Sequence, residues 1–119
     1  MDNMKFKKCP DCGQEWQTRE DFLSDQEIVI KGYQVNFENL KLGLFLFDHL
    51  KCMTTMAIKA GEFRDVYDGP VFQKRMTGTS ECPGYCLRSQ ELSRCQVECE
   101  CAWVREVLNI IVHWQKRAF

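Results

Sequence analysis

Three groups of thiol side chains constrain this 119-residue chain more than any other feature of its sequence. Thiols that recur at short spacing are typical of sites in which several side chains bind one metal ion. A fold that uses them in this way must bring distant parts of the chain to a common point. The first group is a pair, the second is a cysteine beside a histidine, and the third holds five cysteines: Cys9 and Cys12; Cys52 with His49; and Cys82, Cys86, Cys95, Cys99 and Cys101.

The start of the chain indicates a compartment. The basic residues between Met1 and Lys8 are not followed by the apolar stretch of an export signal. No apolar run approaches the roughly 18 residues that span a bilayer. We therefore expect a cytoplasmic protein that does not enter a membrane, in which thiols are free or metal-bound and stable disulfides are uncommon.

The composition is that of an ordinary globular protein. Apolar residues make up 45% of the chain and charged residues 28%, which is sufficient for a buried core. A net charge of -1 and a pI near 6.1 differ from the strongly basic character of most nucleic-acid-binding proteins, so nucleic acid is not an expected partner. The length predicts a single domain over 1–119, with a knuckle and sheet in 1–76 and a cysteine-rich loop and helix in 77–119.

Residues 27–59 carry the pattern of an antiparallel meander. Polar and apolar residues alternate around Tyr33, and Gly32 interrupts the pattern in the manner of a β-bulge. The apolar segment Leu42–Phe47 predicts a central strand that is covered on both faces. Thr54–Ile58 would form the third strand.

Helices are predicted on either side of this sheet, the first over Arg19–Leu23, where Thr18 begins a capping pattern. A second short helix is expected over Gly61–Tyr67, followed by an edge strand over Val71–Met76. The last helix should run from near Glu98 to about Lys116, because apolar residues recur there at helical spacing. Its apolar stripe consists of Trp103, Val107, Ile110, Ile111 and Trp114. The predicted class is α+β, a small antiparallel sheet with an N-terminal metal knuckle and a C-terminal amphipathic helix.

Cys9-Pro10-Asp11-Cys12-Gly13 has the sequence of a metal-binding turn. Proline fixes the backbone at the start of the turn, and glycine tolerates a positive φ at its end. Such a turn directs backbone N–H groups toward the thiolate sulfurs. The segment resembles the zinc knuckle of zinc ribbons and rubredoxins, whose pattern is Cys-Pro-x-Cys-Gly. The resemblance implies that Cys9 and Cys12 are two of four ligands of a tetrahedral metal ion, with the other two on a second turn.

His49 and Cys52 are the best completion of this site in the sequence. The spacing His-x-x-Cys places both side chains on one turn, although this pair lacks the Pro and Gly of a full knuckle. The pair follows the strand predicted over Leu42–Phe47, where the second knuckle of a ribbon would lie. Three cysteines and one histidine are an accepted ligand set for structural zinc. We predict a zinc site formed by Cys9, Cys12, His49 and Cys52.

Other interpretations of these residues remain open. Cys52 can be a buried apolar residue, with His49 hydrogen-bonded to the backbone at a strand end. Cys9 and Cys12 can form a redox pair, but such a motif lies between a strand and a helix, and no apolar strand precedes Cys9. One or two of the later thiols can replace His49 and Cys52 in space.

The five cysteines between Cys82 and Cys101, here called the C-terminal thiol group, admit several chemistries. One is a second, all-cysteine metal site that uses four of the five thiols, most simply for zinc. Another is an iron–sulfur cluster, which thiolates also hold. The twin Cys-x-x-x-Cys pairs also resemble those of the small mitochondrial Tim chaperones, which implies disulfides. Independent free thiols are the remaining interpretation.

The start of the last helix bears on this choice. If the helix begins near Cys95, then Cys95 and Cys99 lie on one face and Cys101 points away. If the helix begins after Cys99, then Cys99 and Cys101 can both bind a metal from an irregular turn.

The functional prediction is a small zinc-binding protein with two metal sites. We expect a non-enzymatic regulatory or protein-interaction module, with a protein partner or a homodimer formed through the C-terminal helix. The alternative is an iron–sulfur protein for electron transfer or redox sensing that uses the C-terminal thiol group. The sequence contains no Ser-His-Asp order, no glycine loop for phosphate and no persuasive carboxylate pair. It therefore indicates no substrate.

Overall fold

The computed structural model describes residues 5–95 and 97–116, and within them the chain has the predicted α+β class. Two small antiparallel sheets precede a C-terminal helix. Neither α-helix in these ranges has the length and apolar character that a membrane crossing requires. The strands are β1 (Lys7–Lys8), β2 (Glu15–Trp16), β3 (Ile28–Gln34), β4 (Leu44–His49) and β5 (Thr54–Lys59); the α-helices are α1 (Arg19–Ser24) and α2 (Ala102–Val112); and 3-10 helices cover Leu40–Leu42, Ala60–Val66 and Tyr85–Leu87.

β1 and β2 form a short antiparallel hairpin around the first cysteine pair. Lys7 lies opposite Trp16 in its register, and the amide of Cys9 donates to the carbonyl of Gln14 at 2.8 Å. Trp16 is buried, so one side of the hairpin rests on the core. The hairpin therefore holds the cysteine turn in a fixed position.

α1 begins where it is predicted and ends one residue later, at Ser24. The hydroxyl of Thr18 accepts a hydrogen bond from the amide of Asp21 at 3.0 Å, which caps the helix. Phe22 and Leu23 are buried. The helix thus contributes two apolar side chains to the core directly after the hairpin.

β3, β4 and β5 form the predicted antiparallel meander in sequence order. The register between β3 and β4 shifts between Ile30 and Gly32, which confirms the bulge. A Cβ atom at Gly32 would lie 2.8 Å from the carbonyl oxygen of Ser89, and the same oxygen accepts the amide of Tyr33 at 2.7 Å. Because glycine has no side chain, the cysteine-rich segment can lie directly against β3 at Gly32.

β4 is the central strand, but only one of its faces is fully covered. Phe45, Phe47 and His49 are buried, whereas the alternate residues are half-buried, so the prediction of two covered faces was wrong in this respect. The buried face is packed by aromatic rings from both sides. The Phe47 ring centroid lies 5.0 Å from that of Phe22 and 5.8 Å from that of Phe63. These edge-on and tilted contacts form the centre of the core.

The edge strand predicted over Val71–Met76 does not form, and this prediction was wrong. The backbone of this segment bonds to the cysteine-rich segment instead of to a strand. The carbonyl of Lys74 accepts the amide of Glu100 at 2.7 Å, and the amide of Met76 donates to the Cys99 sulfur at 3.2 Å. The helix expected over Gly61–Tyr67 is present as the 3-10 helix Ala60–Val66.

α2 is shorter than the predicted helix, beginning at Ala102 and ending at Val112. Cys101 occupies its N-cap position, and the amide of Ala102 donates to the carbonyl of Cys99 at 2.9 Å. The helix therefore begins after Cys99, the case in which Cys99 and Cys101 both lie in an irregular turn. The predicted stripe is buried at Trp103, Val107 and Ile111 and half-buried at Ile110 and Trp114.

Candidate metal centre

The first cysteine turn has the backbone geometry of a metal knuckle. The amides of Cys12 and Asp11 both donate to the Cys9 sulfur. Gly13 has a φ of 82°, the left-handed conformation that glycine adopts without strain. Cys9 is buried, whereas Cys12 is exposed. The turn therefore packs against the core at Cys9 and reaches the surface at Cys12.

His49 is the last residue of β4, and Cys52 lies on the turn that joins β4 to β5. The amide of Cys52 donates to the carbonyl of His49 at 3.3 Å, which closes the turn. Met53 follows with a φ of 60°, and no other non-glycine residue in the described ranges has a positive φ. Met53 thus takes the backbone conformation that Gly13 takes after Cys12. The second turn reproduces the end of a knuckle although its sequence lacks the glycine.

The structure brings the four ligand atoms of the predicted site together, all within 4.8 Å of one another. The Cys9 and Cys52 sulfurs lie 3.5 Å apart, and Nδ1 of His49 lies 3.2 Å from the Cys52 sulfur and 3.8 Å from the Cys12 sulfur. Ligand atoms of a tetrahedral zinc with bonds of about 2.0–2.3 Å stand roughly 3.3–3.8 Å apart. These spacings fit one metal ion at the centre of the four.

The electrostatics of the site also favour a cation. Burial raises the pKa of the Cys9 thiol, but the amides of Cys12 and Asp11 and the contacts with His49 and Cys52 together outweigh it and lower this pKa to about 6. Burial and the neighbouring sulfurs of Cys9 and Cys12 raise the pKa of Cys52 to about 12. Without a cation, one thiol is therefore ionised near neutral pH while its neighbour retains a proton. A metal ion would replace that proton and stabilise both thiolates.

His49 is oriented as a ligand and not as a histidine bonded to the backbone. It is fully buried, and its Nδ1 faces two sulfurs. In the described part of the chain its Nε2 has no hydrogen-bond partner, and the Trp16 ring lies 5.1 Å away at 77°. A buried imidazole with one nitrogen among thiols matches the ligand preference of a borderline metal such as zinc.

The C-terminal thiol group is also assembled in space. The Cys101 sulfur lies 3.3 Å from the Cys86 sulfur and 3.3 Å from the Cys99 sulfur. Cys95 is buried like these three, whereas Cys82 is half-buried. All eight cysteines lie in the described ranges and all are free thiols. The disulfide interpretation therefore has no support from the structure.

Thiol contacts set the order of ionisation in this group. The contact with Cys101 lowers the pKa of Cys86, and burial only partly opposes it. The same contact, followed by burial, raises the pKa of Cys101. Of this contacting pair, Cys86 therefore ionises before Cys101.

Arg105 is a functional candidate that the sequence interpretation missed. It is fully buried, and its Nε and Nη2 atoms donate to the carbonyls of Ser93 and Glu91 at 3.0 and 2.7 Å. Helical spacing did not indicate this burial, because position 105 lies almost opposite Trp103 and Val107 around the helix axis. The loop that contains Glu91 and Ser93 covers this side of α2 and buries the guanidinium.

Known proteins do not identify this arrangement. Comparison with protein-family models, with curated proteins and with solved structures gives no match. The four converging ligand atoms and the assembled C-terminal thiol group are therefore the observations from which a function can be argued.

Proposed function

We propose that this chain is a non-enzymatic zinc-binding protein in which Cys9, Cys12, His49 and Cys52 hold a structural zinc ion. The observation that carries the proposal is the convergence of all four ligand atoms within 4.8 Å. Zinc is favoured over harder cations because the ligand set consists of sulfur and imidazole nitrogen, without a carboxylate oxygen. It is favoured over copper or iron by the tetrahedral Cys₃His set, which is an accepted structural zinc site.

A structural role follows from the completeness of the ligand set. Four protein ligands fill a tetrahedral shell, whereas a catalytic zinc keeps one position open for water or substrate. The ligands also come from two separate parts of the fold, the β1–β2 hairpin and the β4–β5 turn. Zinc binding would therefore attach the hairpin to the meander, and its binding free energy would contribute to folding.

The C-terminal thiol group supports a second metal site as part of this function. Free thiols throughout the chain are consistent with a reducing compartment, for which we propose the cytoplasm. An iron–sulfur cluster for electron transfer or redox sensing is the competing occupant of the same thiols. In either case the second site would give the protein a regulatory property that the structural site does not supply.

We also propose a protein partner or a second copy as the binding target of α2. Most of its apolar stripe is buried within the chain, and Val112 is its large exposed apolar residue. Val112 lines a groove of about 150 Å³ with Val29, Ile30 and Leu92. Val112→Glu should lower the mass measured by light scattering if this face joins two copies, and an unchanged mass would remove the homodimer.

Metal analysis of protein purified without oxygen tests the main proposal. We expect bound zinc, a colourless solution and thiols that react slowly with a thiol reagent until a chelator is added. Absorption above roughly 400 nm with bound iron would indicate a cluster instead. Protein that contains no metal and whose eight thiols titrate freely would contradict the proposal.

A further inference from the structure

Two sulfurs of the first site are in contact although they come from different parts of the fold. The Cys9 sulfur, in the N-terminal hairpin, lies 3.5 Å from the Cys52 sulfur, on the turn after β4. The Cys12 sulfur makes its contact with Nδ1 of His49, at 3.8 Å. A disulfide bond is about 2.05 Å long, so the Cys9 and Cys52 sulfurs would need to approach each other by only about 1.5 Å. These two thiols are therefore placed to form a covalent bond between the hairpin and the meander.

The hairpin is also held against the meander by contacts that involve no ligand of the site. The ammonium of Lys7, in β1, donates to the carbonyl of Ala57, in β5, at 3.4 Å. The indole N–H of Trp16, in β2, donates to the carboxylate of Asp25 at 2.9 Å. Neither contact requires a metal ion. Both would therefore keep the two cysteine turns side by side after a bound ion has left.

The two contacting thiols differ in exposure. Cys9 is 1% exposed, whereas Cys52 is half-buried, so a small oxidant can reach the Cys52 sulfur from solvent more easily than the Cys9 sulfur. An oxidised thiol condenses with a neighbouring thiol to form a disulfide, and Cys9 is that neighbour. Cys12 is exposed as well, but the group that it contacts is an imidazole, which cannot form a disulfide.

We propose that a peroxide converts Cys9 and Cys52 to a disulfide, that the zinc ion then leaves the site, and that the new bond keeps the hairpin attached to the meander. This inference rests on the proposed function, because it takes the four ligands to hold zinc. It goes further in assigning a redox response to the same ligands. The site would remain structural in both forms, with either an ion or a covalent bond between the same two parts of the chain.

The reaction needs hydrogen peroxide and no other oxidant. The Cys52 thiolate attacks one oxygen of the peroxide, the O–O bond breaks and hydroxide leaves, which converts Cys52 to a sulfenic acid. The Cys9 thiolate then attacks the sulfenic sulfur, the S–S bond forms and a second hydroxide leaves. The two thiolates together lose two electrons, which the peroxide gains, and two protons from solvent convert the hydroxides to water. Zinc has no redox chemistry and leaves as Zn²⁺.

Zinc leaves because the disulfide removes two of its four ligands. The thiolate is the form of cysteine that binds metal, and a disulfide contains none. Cys12 and His49 would remain, which is half of the ligand set of a structural zinc site. Chelation would produce the same zinc-free site but without a link between hairpin and meander. Oxidation and chelation should therefore have different effects on stability, although both remove the ion.

Zinc release and disulfide mapping test the reaction in the unsubstituted chain. With a zinc-binding dye present, we expect hydrogen peroxide to release the zinc that Cys12→Ser fails to bind, and a thiol reductant to restore binding. Peptide mapping after alkylation should find Cys9 linked to Cys52, with Cys12 alkylated. A disulfide between Cys9 and Cys12, or zinc that stays bound to the oxidised protein, would overturn the inference.

A matched pair of variants separates the covalent bond from the effect of zinc. Cys12→Ser and Cys52→Ser each lack one ligand and should each lack this zinc, but only Cys12→Ser retains both thiols of the proposed disulfide. A bond between residues 43 apart restricts the unfolded chain. After peroxide treatment we therefore expect the unfolding midpoint of Cys12→Ser to rise by roughly 10 °C or more, without such a rise in Cys52→Ser. Oxidation of the C-terminal thiol group affects both variants alike, so equal changes would overturn the inference.

These measurements also distinguish a failure of this inference from a failure of the proposed function. A purified chain that contains no zinc, but in which Cys9 and Cys52 still become linked, would overturn the proposed function and the zinc release and would leave only the disulfide. A chain that binds zinc at the first site but forms a different disulfide there would overturn this inference alone. A chelated protein that melts at the same temperature as the oxidised protein would show that the bond does not replace the ion.

Discussion

The Cys9 sulfur lies 3.5 Å from the Cys52 sulfur, although 43 residues separate them along the chain. Cys9 is part of the N-terminal hairpin, and Cys52 is part of the turn between the second and third strands of the meander. The β1–β2 hairpin has only two residues in each strand, and so small a hairpin has little stability of its own. Its attachment to the sheet therefore depends on this contact, on Trp16 and on the metal that we propose between the sulfurs.

Cys12→Ser should remove the first zinc without disturbing the core. Cys12 is exposed, so serine costs no packing but cannot replace a thiolate as a zinc ligand. We expect the zinc content to fall by one equivalent and the unfolding midpoint to fall by roughly 10 °C or more, since each kcal/mol shifts it by about 4 °C in a domain between the 60–100-residue and 150–250-residue classes. Asp11→Ser, at a neighbouring exposed position, is the control. Unchanged zinc content and melting in Cys12→Ser would remove the site.

Met53→Gly should stabilise the protein. Met53 has a φ of 60° and its side chain is 87% exposed, so glycine relieves the left-handed conformation without removing a packed side chain. The left-handed region costs a side chain roughly 1–2 kcal/mol, and the extra chain entropy of glycine offsets part of this gain. We expect a net increase of about 0.5–1 kcal/mol in the free energy of unfolding, measured in urea with saturating zinc. A decrease would show that Met53 makes a contact that its exposure does not reveal.

Asp25→Ala should weaken the connection between the hairpin and the sheet. One oxygen of Asp25 accepts the indole N–H of Trp16 at 2.9 Å, and the other accepts the amide of Glu27 at 2.8 Å. Alanine leaves the buried indole donor unpaired, at a cost of about 1–3 kcal/mol in the free energy of unfolding. Asp65→Ala is the control, because Asp65 pairs with Arg19 at an exposed position and such pairs contribute little. Equal losses from the two variants would contradict this account.

The first metal site could be predicted because each of its pairs is local in sequence. A spacing of two residues between two ligands places both ligands close together along the chain, and this holds for any overall fold. The meander then brings the two turns together, and its bulge at Gly32 was visible as a glycine in an alternating pattern. The positive φ of Met53 was not visible, since methionine carries no preference for that conformation. The turn between β4 and β5 therefore adopts the backbone conformation of a knuckle without the glycine that would predict it from the sequence.

The C-terminal segment could be predicted less well because its conformation depends on long-range contacts. The residues over Val71–Met76 have the apolar content of a strand, but strand propensity does not provide a partner strand. Their backbone groups bond to Glu100 and Cys99 instead. The burial of Arg105 did not follow from helical spacing, because its partners, the carbonyls of Ser93 and Glu91, lie in a loop that no periodicity describes.

Zinc affinity at the first site should fall as the pH is lowered. In the unfolded chain the thiols have a pKa of about 8.5, and a bound metal depresses these values. The stabilisation by zinc is therefore fully present at a pH above the pKa of the thiols in the unfolded chain. It is lost as the pH falls through the lower pKa of the zinc-bound thiols. In the metal-free protein Cys9 has a pKa of about 6 and Cys52 one of about 12, so zinc binding near pH 7 should release the Cys52 proton.

Calorimetry in two buffers of different ionisation heat measures this release. We expect at least one proton per zinc at the first site near pH 7, because Cys52 carries the proton that the metal displaces. Cys52→Ser lacks a ligand and should show neither zinc binding nor proton release at this site. Cys82→Ser, which leaves the four ligands of the first site intact, should match the unsubstituted chain in the proton release of that site. The same zinc affinity near pH 6 and near pH 8 would contradict thiolate ligation at this site, whereas a tenfold or greater loss near pH 6 agrees with it.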